Sequence, residues 1–340
     1  MNKSVAFFTG SSVIWGAELS LLTIATRAAG GSRLIASNNE LVEIWRSQIG
    51  PAKQVTLRHG RLRRLLSFLP NAIHSVWRGE NIVVFDFYLM PLFAILRPLA
   101  ILRGARIVID VHDALIGHPK RKPYFWLMRF AHRAICISKY IASQVPTSDK
   151  VVVYRPVEPA SSGNDGSAGV VGIIGQISPR KGTAFAVEAA AAVDEVAAVT
   201  VRGAAVDSDL DYLESVLRTG EELLDERFRF EGRVPRDRVM EDIDILVVTN
   251  AGEPFGRVVA EAQLSGVVVV GPAAGGTLEL VEHGVTGLLY TPGDVDELSD
   301  LIRLAIRDAN ILRAKAREFA SSAFDPRTRA EEYMDNVAGA

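Results

Sequence analysis

Short β-branched and apolar runs alternate with longer segments of helical spacing along this chain. Val5 to Phe8, Ser32 to Ser37, Ile82 to Phe85, Arg106 to Asp110, Ala134 to Ile137 and Val151 to Tyr154 predict strands, with helix-length stretches between them. Residues 156–168, with Pro156, Pro159 and a run of serine, glycine, Asn164 and Asp165, interrupt the pattern as a linker. The alternation then restarts. Val170 to Ile174, Ala197 to Val201, Phe228 to Glu231, Ile245 to Val248, Val267 to Val270 and Gly287 to Tyr290 predict strands, with helices over 183–193, 208–226, 256–265 and 294–308. Such alternation specifies a parallel sheet with helices on both faces. The expected fold class is α/β, with two doubly wound Rossmann-like domains over 1–155 and 169–324, joined by the linker 156–168 and followed by a last helix within 325–340.

A length of 340 residues supports two such domains, each large enough to bury its own core. The composition, 48% hydrophobic and 23% charged, is that of a globular chain and argues against disorder. Cys136 is the one cysteine, set in the apolar run Ala134 to Ile137, so it reads as a buried strand residue and no internal disulfide forms. The most apolar stretch, Ile82 to Leu102, contains Asp86, Pro91, Arg97 and Pro98, which predicts a strand followed by a packed helix rather than a membrane span. Thr9, Gly10, Ser11 and Ser12 interrupt the first apolar run, against a secretory signal. The expected location is the cytoplasm, peripheral at the inner face of the cell membrane.

Net charge of −2 hides an asymmetry. Residues 1–160 carry 21 Lys and Arg against 9 Asp and Glu, or +12, and residues 161–340 carry 17 against 31, or −14. Arg58, Arg61, Arg63 and Arg64 precede Leu65 and Leu66, and Lys120, Arg121 and Lys122 precede Tyr124, Phe125 and Trp126. Cations beside apolar and aromatic side chains suit an anionic membrane surface. A solvated charged face is the alternative. No nucleic-acid motif accompanies the charge, so nucleic acid is not an expected partner.

Chemistry concentrates in the second half. Glu253-Pro-Phe-Gly-Arg-Val-Val-Ala-Glu261 reads as a strand-end loop with one carboxylate leading into a helix with another. Ionised carboxylates are strong acceptors for hydroxyl pairs. Eight helical steps of about 1.5 Å would set the two about 12 Å apart, a span suited to a ligand with vicinal diols at both ends, such as a folded nucleotide sugar. Gly172 to Gly175 ends a strand, and Lys181-Gly182 opens the next helix, which brings a cation and unpaired N–H groups together as an anion site. The glycine loop Gly275-Gly276 allows close backbone approach to a ligand. In the first half, the loop Gly10 to Gly16 follows the first strand and is either a diphosphate approach or an ordinary strand-to-helix turn; it lacks the Lys-Ser/Thr of a P-loop. His112 and Asp113 follow another strand, and His112 is placed to act on a sugar or an acceptor hydroxyl, while Asp110 reads as structural. His118, His132 and His283 have no metal-ligand spacing with cysteine or carboxylates, so a metal-independent site with no cofactor is expected.

The run EPFGRVVAEA, the loop Gly275 to Glu279, the segment HGVTGLLYTPGD, GQISPRKG at 175–182, Val111-His112-Asp113 and Trp15-Gly16-Ala17-Glu18 closely resemble the family 4 nucleotide-sugar glycosyltransferases. The resemblance spans most of the chain and is weakest over about 35–105. It implies the GT-B fold, a final helix crossing back to the first domain near Asp325-Pro326, and hexosyl transfer from a nucleoside diphosphate sugar to a saccharide or lipid-linked acceptor, with anomeric retention. On that basis His112, Lys181 and Glu253 are the expected catalytic residues. Gly16, Gln176, Arg180, Lys181, Phe255, Gly256, Arg257, Glu261, Gly275 and Gly276 are expected around the donor. Glu253 would contact the transferred sugar, Glu261 the ribose, and Lys181 the diphosphate. The family usually has arginine where this chain has Gln176, with Arg180 as the nearby substitute. Two other readings stay open: a non-catalytic binding subunit of the same fold, and a sugar-nucleotide epimerase.

Overall fold

The structure, a computed structural model, describes residues 3–12, 14, 16–27, 31–57, 59–114, 122–160 and 169–339, apart from the side chains at 61, 122 and 123. It contains two compact units, Met1–Pro156 with Pro326–Ala340, and Val157–Asp325. Trp15, Arg58, His118, Lys120 and Arg121, and most of the expected linker, lie outside the described residues.

The first unit is built on a seven-stranded parallel sheet of β1 (Val5–Thr9), β2 (Ser32–Ala36), β3 (Ala52–Gln54), β4 (Asn81–Val84), β5 (Ile107–Val111), β6 (Arg133–Cys136) and β7 (Lys150–Val152), in the order β3-β2-β1-β4-β5-β6-β7. Every residue of β1, β4 and β5 is buried, as expected of central parallel strands covered on both faces. The helices are α1 (Gly16–Arg27), α2 (Asn39–Gln48), α3 (Arg61–Trp77), α4 (Met90–Leu102), α5 (Lys122–Leu127) and α6 (Lys139–Gln144). Local signals fix several ends: the Asn38 side chain accepts from the Leu41 N–H to start α2, and Ser138 accepts from Ile141 to start α6. The Ile82 to Leu102 stretch is a strand and a packed helix, as its prolines and charges predicted. Cys136 is fully buried in β6, and burial pushes its thiol up to about 12.

The second unit carries a six-stranded parallel sheet, β8 (Val170–Gln176), β9 (Ala198–Ala204), β10 (Phe228–Gly232), β11 (Ile245–Val247), β12 (Val268–Pro272) and β13 (Leu288–Tyr290), ordered β10-β9-β8-β11-β12-β13. Its helices are α7 (Thr183–Ala191), α8 (Leu210–Leu224), α9 (Arg257–Ser265), α10 (Thr277–Leu280), α11 (Val295–Arg307) and α12 (Ala309–Ala323). The last helix, α13 (Pro326–Ala338), belongs to the first unit, where Tyr333 and Val337 join the core formed by Phe7, Leu21 and Trp45.

Each sheet reverses its winding at one place, β1/β4 in the first unit and β8/β11 in the second. Loops leaving the carboxyl ends of strands at such a point splay apart and leave room for a ligand.

Candidate active site

In the second unit a pocket forms where β8 and β11 end. Gly175, Gln176, Lys181, Thr183, Asn250 and Glu253 are on its wall. Lys181 ends a one-turn helix, and Gly182 then turns the chain into α7 with a left-handed φ of 64°. A Cβ at Gly182 would stand 2.8 Å from Thr249 Oγ1, which itself donates to the carbonyl oxygens of Lys181 and Gly182. This clamp holds Lys181 against the pocket, and α7 starts there with its positive end.

Glu253 lies opposite. Its Oε2 accepts from Lys181 Nζ at 2.5 Å and from Asn250 Nδ2 at 2.8 Å. The Asn250 amide is oriented by the Gly252 N–H, which donates to its oxygen at 3.1 Å. No hydrogen bond falls on Glu253 Oε1 among the described residues. Behind this carboxylate, the Gly276 N–H donates to the Glu253 carbonyl at 2.7 Å. A Cβ on Gly276 would come within 2.7 Å of the Phe255 backbone, so the glycine loop and the Glu253 to Phe255 turn are in backbone contact. Phe255 is buried and packs edge-on against Phe324 at 5.7 Å.

The helix α9 begins only after Gly256, so Glu253 sits in the preceding turn and Glu261 one turn into the helix. Glu261 repeats the pattern of Glu253. Its Oε1 accepts from Arg257 Nε at 2.9 Å and lies 3.2 Å from Arg236 Nη2, while Oε2 carries no hydrogen bond among the described residues. Burial and the nearby Arg236 lower the Arg257 guanidinium from its ordinary value despite Glu261. Neither carboxylate points into bulk solvent: the side chains of Glu253 and Glu261 are 15% and 11% exposed. Arg180, by contrast, is exposed and absent from the pocket wall. It sits beside Lys181 in a tight turn, whereas Gln176, at the position where arginine was expected, is on the pocket wall with Lys181.

Gly16 and His112 belong to the first unit. Gly16 opens α1, after the loop that leaves β1. Where β1 passes into that loop, Thr9 Oγ1 and the Gly10 N–H both donate to Asp86, at 2.9 and 2.6 Å. His112 follows β5, with Nδ1 3.0 Å from Asp110 Oδ1 and its ring against Phe85 at 4.5 Å between centroids. An ionised carboxylate only accepts, so Nδ1 carries the proton and Nε2 is the acceptor nitrogen of the neutral ring. Burial opposes charge on this imidazole, yet the hydrogen bond and charge of Asp110 outweigh it and raise its pKa above the usual histidine value.

Residues 155–323 match the family described as Glycosyl transferases group 1. They form a group 1 glycosyl transferase domain. Over 168 residues, 48% of this chain, the sequence is 33% identical to a D-inositol 3-phosphate glycosyltransferase of Mycobacterium sp. strain KMS, and the matched part spans 38% of that relative. Among solved structures, Anabaena HepE in complex with UDP and glucose superposes with a TM-score of 0.84 at 24% identity, covering 99% of this chain and 100% of HepE. Sucrose-phosphate synthase from Thermosynechococcus elongatus gives 0.79 at 15% identity, covering 99% and 100%. These structural likenesses establish the fold, the two-sheet α/β GT-B plan that the sequence led one to expect.

Sequence reasoning located the group 1 domain's Lys181, Glu253 and Glu261 but missed the groups that hold them. Asn250 and Thr249 follow β11, and the signal available was their place at the end of a buried strand. Arg236 lies in a one-turn segment, Arg236–Arg238, with no motif around it. Its contact with Glu261 is visible only in three dimensions.

Proposed function

We propose that this chain transfers a hexosyl group from a nucleoside diphosphate sugar to an acceptor hydroxyl, with retention at the anomeric carbon. The observation that carries the reading is the matched state of two carboxylates, Glu253 and Glu261. Each has one oxygen engaged by basic or amide donors, Lys181 and Asn250 on Glu253 and Arg257 with Arg236 on Glu261, and keeps the other without a hydrogen bond among the described residues. Carboxylates so prepared accept from sugar hydroxyls strongly. Glu253, on the pocket wall, would take hydroxyls of the transferred hexose, and Glu261 those of the ribose. Lys181 and the start of α7 would balance the diphosphate as its charge grows. The complex of HepE with UDP and glucose supports a uridine diphosphate sugar as the first donor to try.

Glu253 is a poor nucleophile in this setting, because its bonds to Lys181 and Asn250 draw on the charge that attack would need. That favours a same-face displacement. The bond from C1 to the diphosphate oxygen breaks, the bond from C1 to the acceptor oxygen forms, and the acceptor's proton passes to the departing phosphate oxygen. The test is UDP release from UDP-glucose and a panel of related donors, with the product's anomeric configuration read by NMR. Glu261→Ala should weaken donor binding by about 1.5 to 3 kcal/mol, or roughly tenfold to a few hundredfold. Normal binding and turnover by that variant would sink the assignment. Gln176 in the pocket favours one second reading, a binding subunit without turnover. It is distinguished by donor affinity with no nucleotide released for any acceptor.

The acceptor side of the proposal is a lipid-linked saccharide at an anionic bilayer. The first unit exposes Leu62, Leu66, Ile73 and Trp77 on α3, and Ile95, Ile101 and Leu102 on α4. On α3 these positions fall along one stripe of the helix. Exposed Arg63 borders it, Arg64 is exposed one position further round the helix, and the Arg103 guanidinium covers the Trp77 ring at 4.7 Å. Trp126 on α5 is a further exposed aromatic, 57% accessible. The expected basic cluster just before it lies outside the described residues, except for the backbone of Lys122.

A further inference from the structure

We infer that Tyr333 and Arg155 are positioning residues for His112, acting through Asp110. The inference rests on the transfer proposed above and on the sequence expectation that His112 acts on a sugar or an acceptor hydroxyl. Asp110 sits at the centre, with no exposed side-chain surface. Its Oδ1 meets His112 Nδ1 at 3.0 Å and accepts from Arg155 Nη2, and its Oδ2 accepts from the Tyr333 hydroxyl at 2.6 Å. Three elements distant in sequence thus end on one carboxylate: β5, the segment just after β7, and α13.

The geometry around Arg155 shows that this arrangement is poorly explained as a stability device. The side chain is 1% exposed, and its Nε and Nη1 have no hydrogen-bond partner among the described residues. A buried guanidinium left partly unsatisfied costs more than a well-packed apolar side chain in the same place. What the guanidinium does have is position. It lies over Phe85 at 5.9 Å and over the Tyr333 ring at 5.4 Å, and Phe85 is the ring on which His112 stacks. The imidazole is therefore fixed twice, by Asp110 at Nδ1 and by Phe85 at its face, and Arg155 and Tyr333 fix both of those supports. The consequence is a single orientation for Nε2, the nitrogen that faces no described hydrogen-bond partner.

The charged and titratable groups facing this imidazole are Asp110 and Asp113 from its own strand end, Arg155 beyond β7 and Tyr333 through Asp110. Cys136 on the neighbouring β6 feels Asp110 and stays protonated. From β4 the contact is the uncharged Phe85 ring. The Tyr333 hydroxyl draws part of the carboxylate's charge to itself, and Arg155 opposes a second positive charge on His112. Both act to restrain how strongly Asp110 favours the imidazolium.

The test is NMR titration of the full chain labelled on histidine nitrogens, with the His112 signals assigned by loss in His112→Gln. Wild type should show the tautomer protonated at Nδ1. Asp110→Asn should lower the His112 midpoint by about one to three units and abolish the tautomer preference. Tyr333→Phe, a mild change that keeps the ring, should raise the midpoint by about half a unit, because the full carboxylate charge then falls on the imidazole. It should also lower kcat at least about tenfold through loosened placement while donor KM is kept. A folded Tyr333→Phe whose His112 midpoint and tautomer match wild type overturns the inference. Altered NMR with unchanged kcat upholds the placement and instead removes His112 from the transfer step.

Discussion

At the scale of single residues, the chain shows opposite uses of the same group. Glu253 and Glu261 each have one oxygen bonded and the other without a hydrogen bond among the described residues, whereas Asp110 has both oxygens engaged by buried partners. Burial works against the Asp110 charge, but Arg155, His112 and Tyr333 together hold its pKa below the ordinary 3.8. His112 moves the other way, above 6.5, because Asp110 outweighs burial. The signs set a pH window. Asp110's contribution to stability is complete above its unfolded value near 3.8 and is lost as pH falls through the lower folded one. The His112 contribution is complete below 6.5 and fades as pH rises through its higher folded value. Asp110→Asn should therefore cost about 3 to 5 kcal/mol at intermediate pH, where it leaves Arg155 as an uncompensated buried charge. Denaturant titration of wild type and variant from acid to neutral pH measures the difference. It should narrow toward acid, and a gap that stays constant as Asp110 protonates would contradict the assignment.

Elements were legible to the extent that their reasons are local. The strands β8, β11 and β12 are short runs of valine and isoleucine that a sequence reader finds without help, and EPFGRVVAEA announces a turn and then α9. The strand β3 was not read, because Ala52–Gln54 is a short edge strand with two exposed polar residues and no apolar run. Nor was the Asp110 to Tyr333 bond, which joins positions 223 residues apart. Asp110 looked structural, and it is a hub, but the partner that makes it one comes from the last helix. Between these extremes stands the glycine loop before α10. The glycines were legible as a place of close approach; what they approach, the Phe255 backbone, was not. Gly276 has an ordinary helical φ of −67°, so steric contact alone demands glycine there. Gly276→Ala would drive a Cβ to 2.7 Å from the Phe255 Cα and carbonyl oxygen. Overpacking of this kind costs about 1 to 3 kcal/mol. Because the strain falls on the turn that carries Glu253, isothermal titration with UDP-glucose should show donor affinity down by about tenfold, alongside a melting temperature lowered by several degrees. Unaltered affinity would mean that the loop does not set the position of Glu253.

At the scale of the whole molecule, charge is divided by sequence: +12 over residues 1–160 and −14 over residues 161–340. The acidic part includes the family-matched domain, and the proposed donor is anionic, so the cations that would meet it must act locally, as Lys181 would at its pocket. The basic part has a different use. On α3 and α4 its arginines border exposed leucine, isoleucine and tryptophan, and between Gly60 and Gly79 there is no acidic residue to cancel them. No helix among the described residues is long and apolar enough to cross a membrane, so attachment through this face would be to a surface. Each cation near an anionic bilayer contributes about 1 kcal/mol, and that attraction is screened over about 10 Å at 0.1 M salt. Sedimentation with phosphatidylglycerol vesicles should therefore capture the protein at low salt and release most of it at high salt. Arg63→Glu with Arg64→Glu should reduce the bound fraction at least about tenfold, since each change replaces attraction with repulsion. Trp77→Ser should weaken what survives at high salt, because that remainder depends on apolar contact with the lipid interface. Uncharged phosphatidylcholine vesicles should bind only the apolar remainder. Absence of binding to anionic vesicles at low salt would remove the bilayer from the proposal and leave a free saccharide as the acceptor.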